Sequence, residues 1–198
     1  MPSPSGANQD NVRRPQSEPN SSAPHVRAAE SRDADRLAEI NLLTWRDAYA
    51  GLVPNAYLET LDVATLRDRW LARLEEPGDR KTFLAEIDGQ VATYAIVGGY
   101  RVQQDAEPED TTGWGELYAI YTHPDLQGRG AGRAVHDSAL DTLHSRGHQI
   151  AALWVLRDNL KTRRWYDARG WRADGATSEW LGAGVPLLEV RLTRRTNG

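Results

Sequence analysis

The chain has 198 residues, a formal net charge of −4 and no cysteine. That length suits one well-cored domain and would cramp two. The acidic balance argues against general nucleic-acid binding, which needs a basic footprint, and the missing cysteine rules out disulfides, thiolate metal sites and a cysteine nucleophile.

Residues 1–23 are Pro, Ser, Asn and charge with almost nothing to bury, and read as a disordered tail before a single domain over 24–198. They lack a signal peptide's apolar core, and no apolar run approaches the roughly 20 residues that span a bilayer. A cytoplasmic protein with no membrane partner is expected. Order begins with a short strand at His25–Ala29. Ser31-Arg32-Asp33 then caps a helix in which Leu37, Ile40, Leu43 and Trp45 recur at helical spacing. Gly51 and Pro54 interrupt it, and a second helix is expected near 62–75. TFLAEI, the turn Asp88-Gly89 and VATYAIVGGYRV form a β-hairpin. An acidic loop at 104–113 leads to the strand ELYAIYT, a glycine loop and a helix that Gly147 stops. The strand IAALWVL, a helix over 159–169 and a final strand near 186–193 complete an α/β domain with one mixed sheet flanked by helices.

The most informative segment is Gln127-Gly128-Arg129-Gly130-Ala131-Gly132, between a strand and a helix. The first turn of a helix has N–H groups without intrahelical acceptors, and its dipole adds partial positive charge. Glycines let the backbone approach a phosphate with no Cβ in the way. No Lys-Ser or Lys-Thr follows, so this is not a Walker loop, and GxGxG is not the dinucleotide spacing.

Gln127-x-x-Gly130-x-Gly132, preceded by His123-Pro124 and followed by Asn159, resembles the acetyl-CoA signature of the GNAT superfamily of N-acetyltransferases. NLKTRRWYDARGWRADG resembles the family's Asn, Tyr, Gly-aromatic ending, and WRDAYAGLVPNAYL is similar to a subgroup of small bacterial members. The resemblance implies a mostly antiparallel sheet with a splayed central strand pair, and acetyl-CoA as co-substrate with no metal. It carries pyrophosphate binding to the backbone of Gln127, Gly128, Arg129, Gly130, Ala131, Gly132 and Arg133. For the side chains of Arg129 and Arg133, phosphate contact and a solvated face are equally open. Ile120, Tyr121 and Thr122 would pair with the pantetheine arm like an added strand, one N–H polarising the thioester carbonyl.

Asn159 matches a cofactor contact, and is equally explained as a bare N-cap. Tyr166 matches the tyrosine that protonates the departing thiolate, and its bland alternative is a core residue between Trp165 and Trp171. A phenol titrates near ~10 and a thiol near ~8.5, so hydrogen bonding would help more than full transfer. Glu116 lies where histone-type relatives carry a catalytic glutamate. Period-two alternation puts it on one strand face with Tyr118, Ile120 and Thr122, although many relatives use an ordered water as base. Trp154 stands where relatives that acetylate ribosomal protein N-termini place a glutamate, so that activity is not expected.

His136, His144 and His148 read as surface or helix-end residues rather than metal ligands. Trp45, Tyr49, Tyr57 and Trp70 lie on helices that frame the acceptor cleft in this family, and aromatics at this spacing are usually core. The expected function is acetyl transfer from acetyl-CoA to a small-molecule or peptide amine by direct attack in a ternary complex, in a monomer or homodimer. The alternatives are a non-catalytic coenzyme A sensor or scaffold, or a different acyl donor.

Overall fold

The computed structural model describes residues 23–102 and 110–197. The tail expected over 1–23 lies outside the described residues except for Ala23, as do residues 103–109 of the acidic loop.

One seven-stranded sheet organises the chain, with strands β1 (His25–Ala28), β2 (Lys81–Ile87), β3 (Gln90–Gly99), β4 (Gly115–Thr122), β5 (Ile150–Leu156), β6 (Arg172–Trp180) and β7 (Leu187–Arg195) in the order β1-β2-β3-β4-β5-β7-β6. All neighbours are antiparallel except β4 and β5. The helices are α1 (Ala34–Ala48), α2 (Asn55–Glu59), α3 (Val63–Glu75), α4 (Ala131–Ser145) and α5 (Leu160–Asp167). The short α2 was not anticipated, and β6 occupies much of what reads as a loop before the final strand.

Local chemistry sets these boundaries. Asp88 (φ 52°) and Gly89 (φ 78°) give the β2–β3 turn the left-handed conformations that match strand twist. Asp62 caps α3 by accepting the Thr65 N–H at 2.8 Å. Gly147 ends α4 in the left-handed region (φ 86°): its N–H donates to His144 and that of His148 to Leu143, which satisfies two orphan carbonyls. Before α1, Asp33 accepts the Glu30 N–H at 2.8 Å and a two-pronged grip from Arg27, both oxygens at 2.8 Å. That grip holds its carboxyl below the usual range.

Two cores flank the sheet. On one face α4 and α5 bury Val135, Leu140, Leu143 and Tyr166, with Trp171 just beyond α5, against Leu117 and Leu153. On the other, α1 and α3 bury Leu37, Ile40, Leu66 and Trp70 against Leu84, Tyr94 and Ile96. A satellite cluster joins α2 to Leu156, Trp180 and Leu187. His136 corrects the surface reading: it is fully buried in α4, and its Nε2 accepts the Trp171 indole N–H at 2.9 Å. Nε2 is therefore unprotonated and the Nδ1–H faces Asp137 at 2.9 Å, while burial lowers the pKa of the ring.

Candidate active site

The site begins where the sheet fails to close. β4 pairs with β5 only at Gly115↔Ala151 and Glu116↔Ala152, so residues 117–122 have no ladder partner on β5. Backbone donors and acceptors of Ile120, Tyr121 and Thr122 that point away from β3 thus border a wedge-shaped gap. On that stretch the Thr122 carbonyl accepts from Thr44 Oγ1 at 3.1 Å and the Tyr121 carbonyl from Thr93 Oγ1 at 2.7 Å.

A β-bulge re-aims β4. Ile96 pairs with Ala119 and Val97 with Leu117, which leaves Tyr118 as the extra residue. Leu117 and Ile120 therefore both enter the α4-side core, while Tyr118, Ala119 and Tyr121 all pack on the α1/α3 side. The common face expected for Glu116, Tyr118, Ile120 and Thr122 is split: Glu116 keeps company with Tyr118, and Thr122 turns toward Gly132 of α4. Gly98 leaves room for the Tyr118 ring, since a Cβ there would sit 2.5 Å from the Tyr118 hydroxyl.

Glu116 is fully buried. Its carboxylate accepts the Arg101 backbone N–H at 2.9 Å and the guanidinium at 2.6 and 3.2 Å. The Arg101 guanidinium also lies 4.3 Å from the centre of the Tyr118 ring.

Beyond the end of β4 lies the glycine loop. Gly128 (φ 77°) and Gly130 (φ 86°) adopt left-handed conformations, and Gly130 caps α4. Among the described residues no acceptor takes the backbone N–H of any residue from 128 to 133, whereas Ala134 donates to Gly130 at 3.1 Å. Residues 127–130 are exposed, so this row of donors is open to a ligand. The neighbouring side chains are engaged elsewhere. Arg129 pairs with Asp88 at 2.6 Å and Arg133 with Asp137 at 3.5 Å.

Asn159 is buried and caps α5, its Oδ1 accepting the Thr162 N–H at 3.1 Å. Tyr166 is buried with its ring edge-on to Trp165 and Trp171. Its hydroxyl has no hydrogen-bond partner among the described residues. Burial, then the nearby Tyr121, pushes its pKa well above that of a free phenol. The Tyr49 and Tyr121 hydroxyls meet at 3.3 Å, and burial pushes Tyr49 up to about 12.

Sequence reasoning missed Glu189. This carboxylate sits on β7 opposite Leu156, and on the same face as Arg191 and Trp154. It is partly buried with no hydrogen-bond partner among the described residues. Burial pushes it up to about 7, Arg101 opposing and Glu116 adding to the rise. Its charge is also felt by Tyr49 and Tyr121. The available signal was an acid inside the apolar strand LLEVRL, where a solvent-facing position would be the default.

On the α1/α3 face a cleft of about 270 Å³ opens beside the bulge. Trp45, Tyr57 and Trp70 contribute to its walls, together with Tyr118 and Tyr121. Three of the four helix aromatics singled out in the sequence thus border it, while Tyr49 packs behind Trp45 with ring centres 4.6 Å apart.

A family model described as the acetyltransferase (GNAT) family matches residues 37–171. An uncharacterized N-acetyltransferase, YuaI of Bacillus subtilis, is 30% identical over 135 residues, which cover 68% of this chain and 72% of that protein. In structure the chain is similar to a PaiA N-acetyltransferase from Thermoplasma acidophilum in complex with coenzyme A, at a TM-score of 0.64 and 16% identity over 88% of this chain and 99% of that one. It is also similar to YncA from Salmonella typhimurium with its cofactor acetyl-CoA, at a TM-score of 0.63 and 19% identity over 89% and 96%.

Proposed function

The chain belongs to the acetyltransferase (GNAT) family, and from that premise we propose that it transfers an acetyl group from acetyl-CoA to a primary amine by direct attack within a ternary complex. The observation that carries this reading is the open row of N–H donors over 128–133, at the end of a strand whose inner edge has lost its neighbour. A pyrophosphate suits the donors. An amide-bearing arm suits the strand edge at Ile120, Tyr121 and Thr122. The two structural neighbours solved with coenzyme A or acetyl-CoA support the same donor.

The chemistry needs an uncharged amine, a place for the oxyanion and help for the leaving thiolate. Nitrogen attacks the thioester carbonyl, the C–S bond breaks, and the amine's surplus proton must go to a base. Two carboxylates of this region feel each other's charge, Glu116 and Glu189. Glu116 is closed off by Arg101, and we assign it to holding that guanidinium rather than to accepting the proton. Glu189, with no hydrogen-bond partner among the described residues and pushed up to about 7 by burial, is suited to the base role expected of Glu116 from the resemblance. Tyr166, kept neutral by burial, donates a hydrogen bond to the departing sulfur. Gln127 frames the loop, and Asn159 fixes the start of α5 and so the position of Tyr166.

Mixing the protein with acetyl-CoA and a panel of primary amines, with thiol release as readout, tests the reading. Tight coenzyme A binding with no thiol release from any amine would leave a coenzyme A-binding module of the same fold.

A further inference from the structure

The cleft beside the bulge is lined by Arg69, Arg73, Arg80 and Arg101 and by no carboxylate among the described residues. Guanidiniums on a protein surface normally find acids. Here Arg101 is taken by Glu116, and Arg80 stands 3.6 Å from Glu76. Arg69 and Arg73 have neither an ion-pair nor a hydrogen-bond partner among the described residues. Arg73 lies 5.0 Å from the centre of the Trp70 ring, at the inner wall of the cleft. The Asp79 carboxylate, which could have served, is turned to the Gly99 N–H at 2.7 Å.

Like charges collected around one cleft repel one another and cost stability unless a counter-charge arrives. Burial, together with the charges of Arg80 and Arg101, holds Arg73 below the ordinary guanidinium range. An anion entering this cleft would gain what the protein itself leaves unmade. The walls explain the remaining shape: Trp70, Tyr94, Tyr118 and Tyr121 lead from the arginines to the inner edge of β4, where the acetyl group is to be delivered.

Resting on the acetyl-transfer reading, we propose that the acceptor is a small amine that also bears an anionic group, a carboxylate or a phosphonate, held by Arg73 and Arg69 while its amine reaches β4. The aromatic walls pack its carbon chain. Neutral and cationic amines of the same length lack the anchor.

The test compares ω-aminocarboxylates of two to six carbons and 3-aminopropylphosphonate with n-alkylamines and α,ω-diamines of matching length. Anionic acceptors are expected to exceed the others in kcat/KM by about tenfold or more, the scale of one charge-assisted contact. Arg73→Gln and Arg69→Gln should raise KM for anionic acceptors by a larger factor than for n-alkylamines, so that the anionic preference in kcat/KM falls. The carboxylate and phosphonate arms tell which anion the arginines prefer. Turnover of alkylamines or diamines equal to that of the anionic series, or an Arg73→Gln defect common to every acceptor, would overturn the proposal. Calorimetry of 3-aminopropylphosphonate against n-propylamine needs no catalysis. A protein that releases no thiol yet binds the phosphonate selectively would lose the transferase reading and keep the anion site. Loss of that selectivity would remove the site itself.

Discussion

Arg101 closes over Glu116 with its backbone N–H and the Nε/Nη2 edge of its guanidinium, at distances of 2.6 to 3.2 Å, although only the carboxylate is fully buried. Removing one partner of a buried pair strands a charge, which costs more than the pair itself contributes. Arg101→Met should therefore destabilise by about 2–3 kcal/mol, less than a fully buried pair because the guanidinium is half exposed. Arg101→Met with Glu116→Gln should recover much of the loss. Urea unfolding of the wild type and these two variants measures this, and a double variant no more stable than Arg101→Met would contradict it.

Glu189 links activity and stability with opposite signs. As a base it must be ionised, so kcat/KM should fall as pH drops below about 7, where this carboxyl takes up its proton. Glu189→Gln should lower kcat by about 10²-fold or more and abolish that acidic limb. Glu116→Gln should keep the limb, and the reverse pattern would return the base to Glu116. For stability the folded pKa lies above the unfolded value, so the folded state binds the extra proton between about 4.5 and 7. The benefit is complete below the unfolded pKa and is lost as pH rises through 7. Glu189→Gln should then be the more stable protein at pH 8, by about 1–3 kcal/mol, and should show no such advantage at pH 4.

Tyr166→Phe keeps the ring against Trp165 and Trp171 and removes only a hydroxyl that has no partner among the described residues. Thermal stability should be unchanged within about 0.5 kcal/mol. If the hydroxyl assists the leaving thiolate, kcat should drop by about 10²-fold with KM little altered. Equal rates for the two proteins would take Tyr166 out of the chemistry.

Arg133→Glu places a carboxylate at the first turn of α4, where it favours the helix but opposes a phosphate. The residue is exposed and paired only at 3.5 Å with Asp137, so folding should be preserved. Coenzyme A affinity by calorimetry should weaken about tenfold or more, and more at low salt than at high salt. An unchanged affinity would place the pyrophosphate elsewhere.

What the sequence disclosed is what local chemistry decides. Asp88-Gly89, Asn159 and Gly147 mark their turns and caps by residue type, and the glycine loop declares its open donors. What it concealed depends on partners far along the chain. The Tyr118 bulge is a register shift against β3, where Gly98 leaves room for the ring, and no alternation rule applied to β4 alone could show the split face. His136 reads as a surface residue until Trp171, 35 positions on, donates to it. Glu189 lies on β7, Arg69 and Arg73 on α3, and Arg80 and Arg101 beyond the ends of other elements, and only the assembled fold brings the four arginines to one cleft and Arg101 within electrostatic reach of Glu189.

The two-residue contact between β4 and β5 divides the sheet into a four-stranded leaf and a three-stranded leaf, fastened at one end like a clasp. The polypeptide omits the bonds that would make the leaves continuous. A guest lying along residues 120–122 would supply them from its own amides. Binding the donor and completing the sheet then become a single event, and the ligand serves as a temporary piece of backbone.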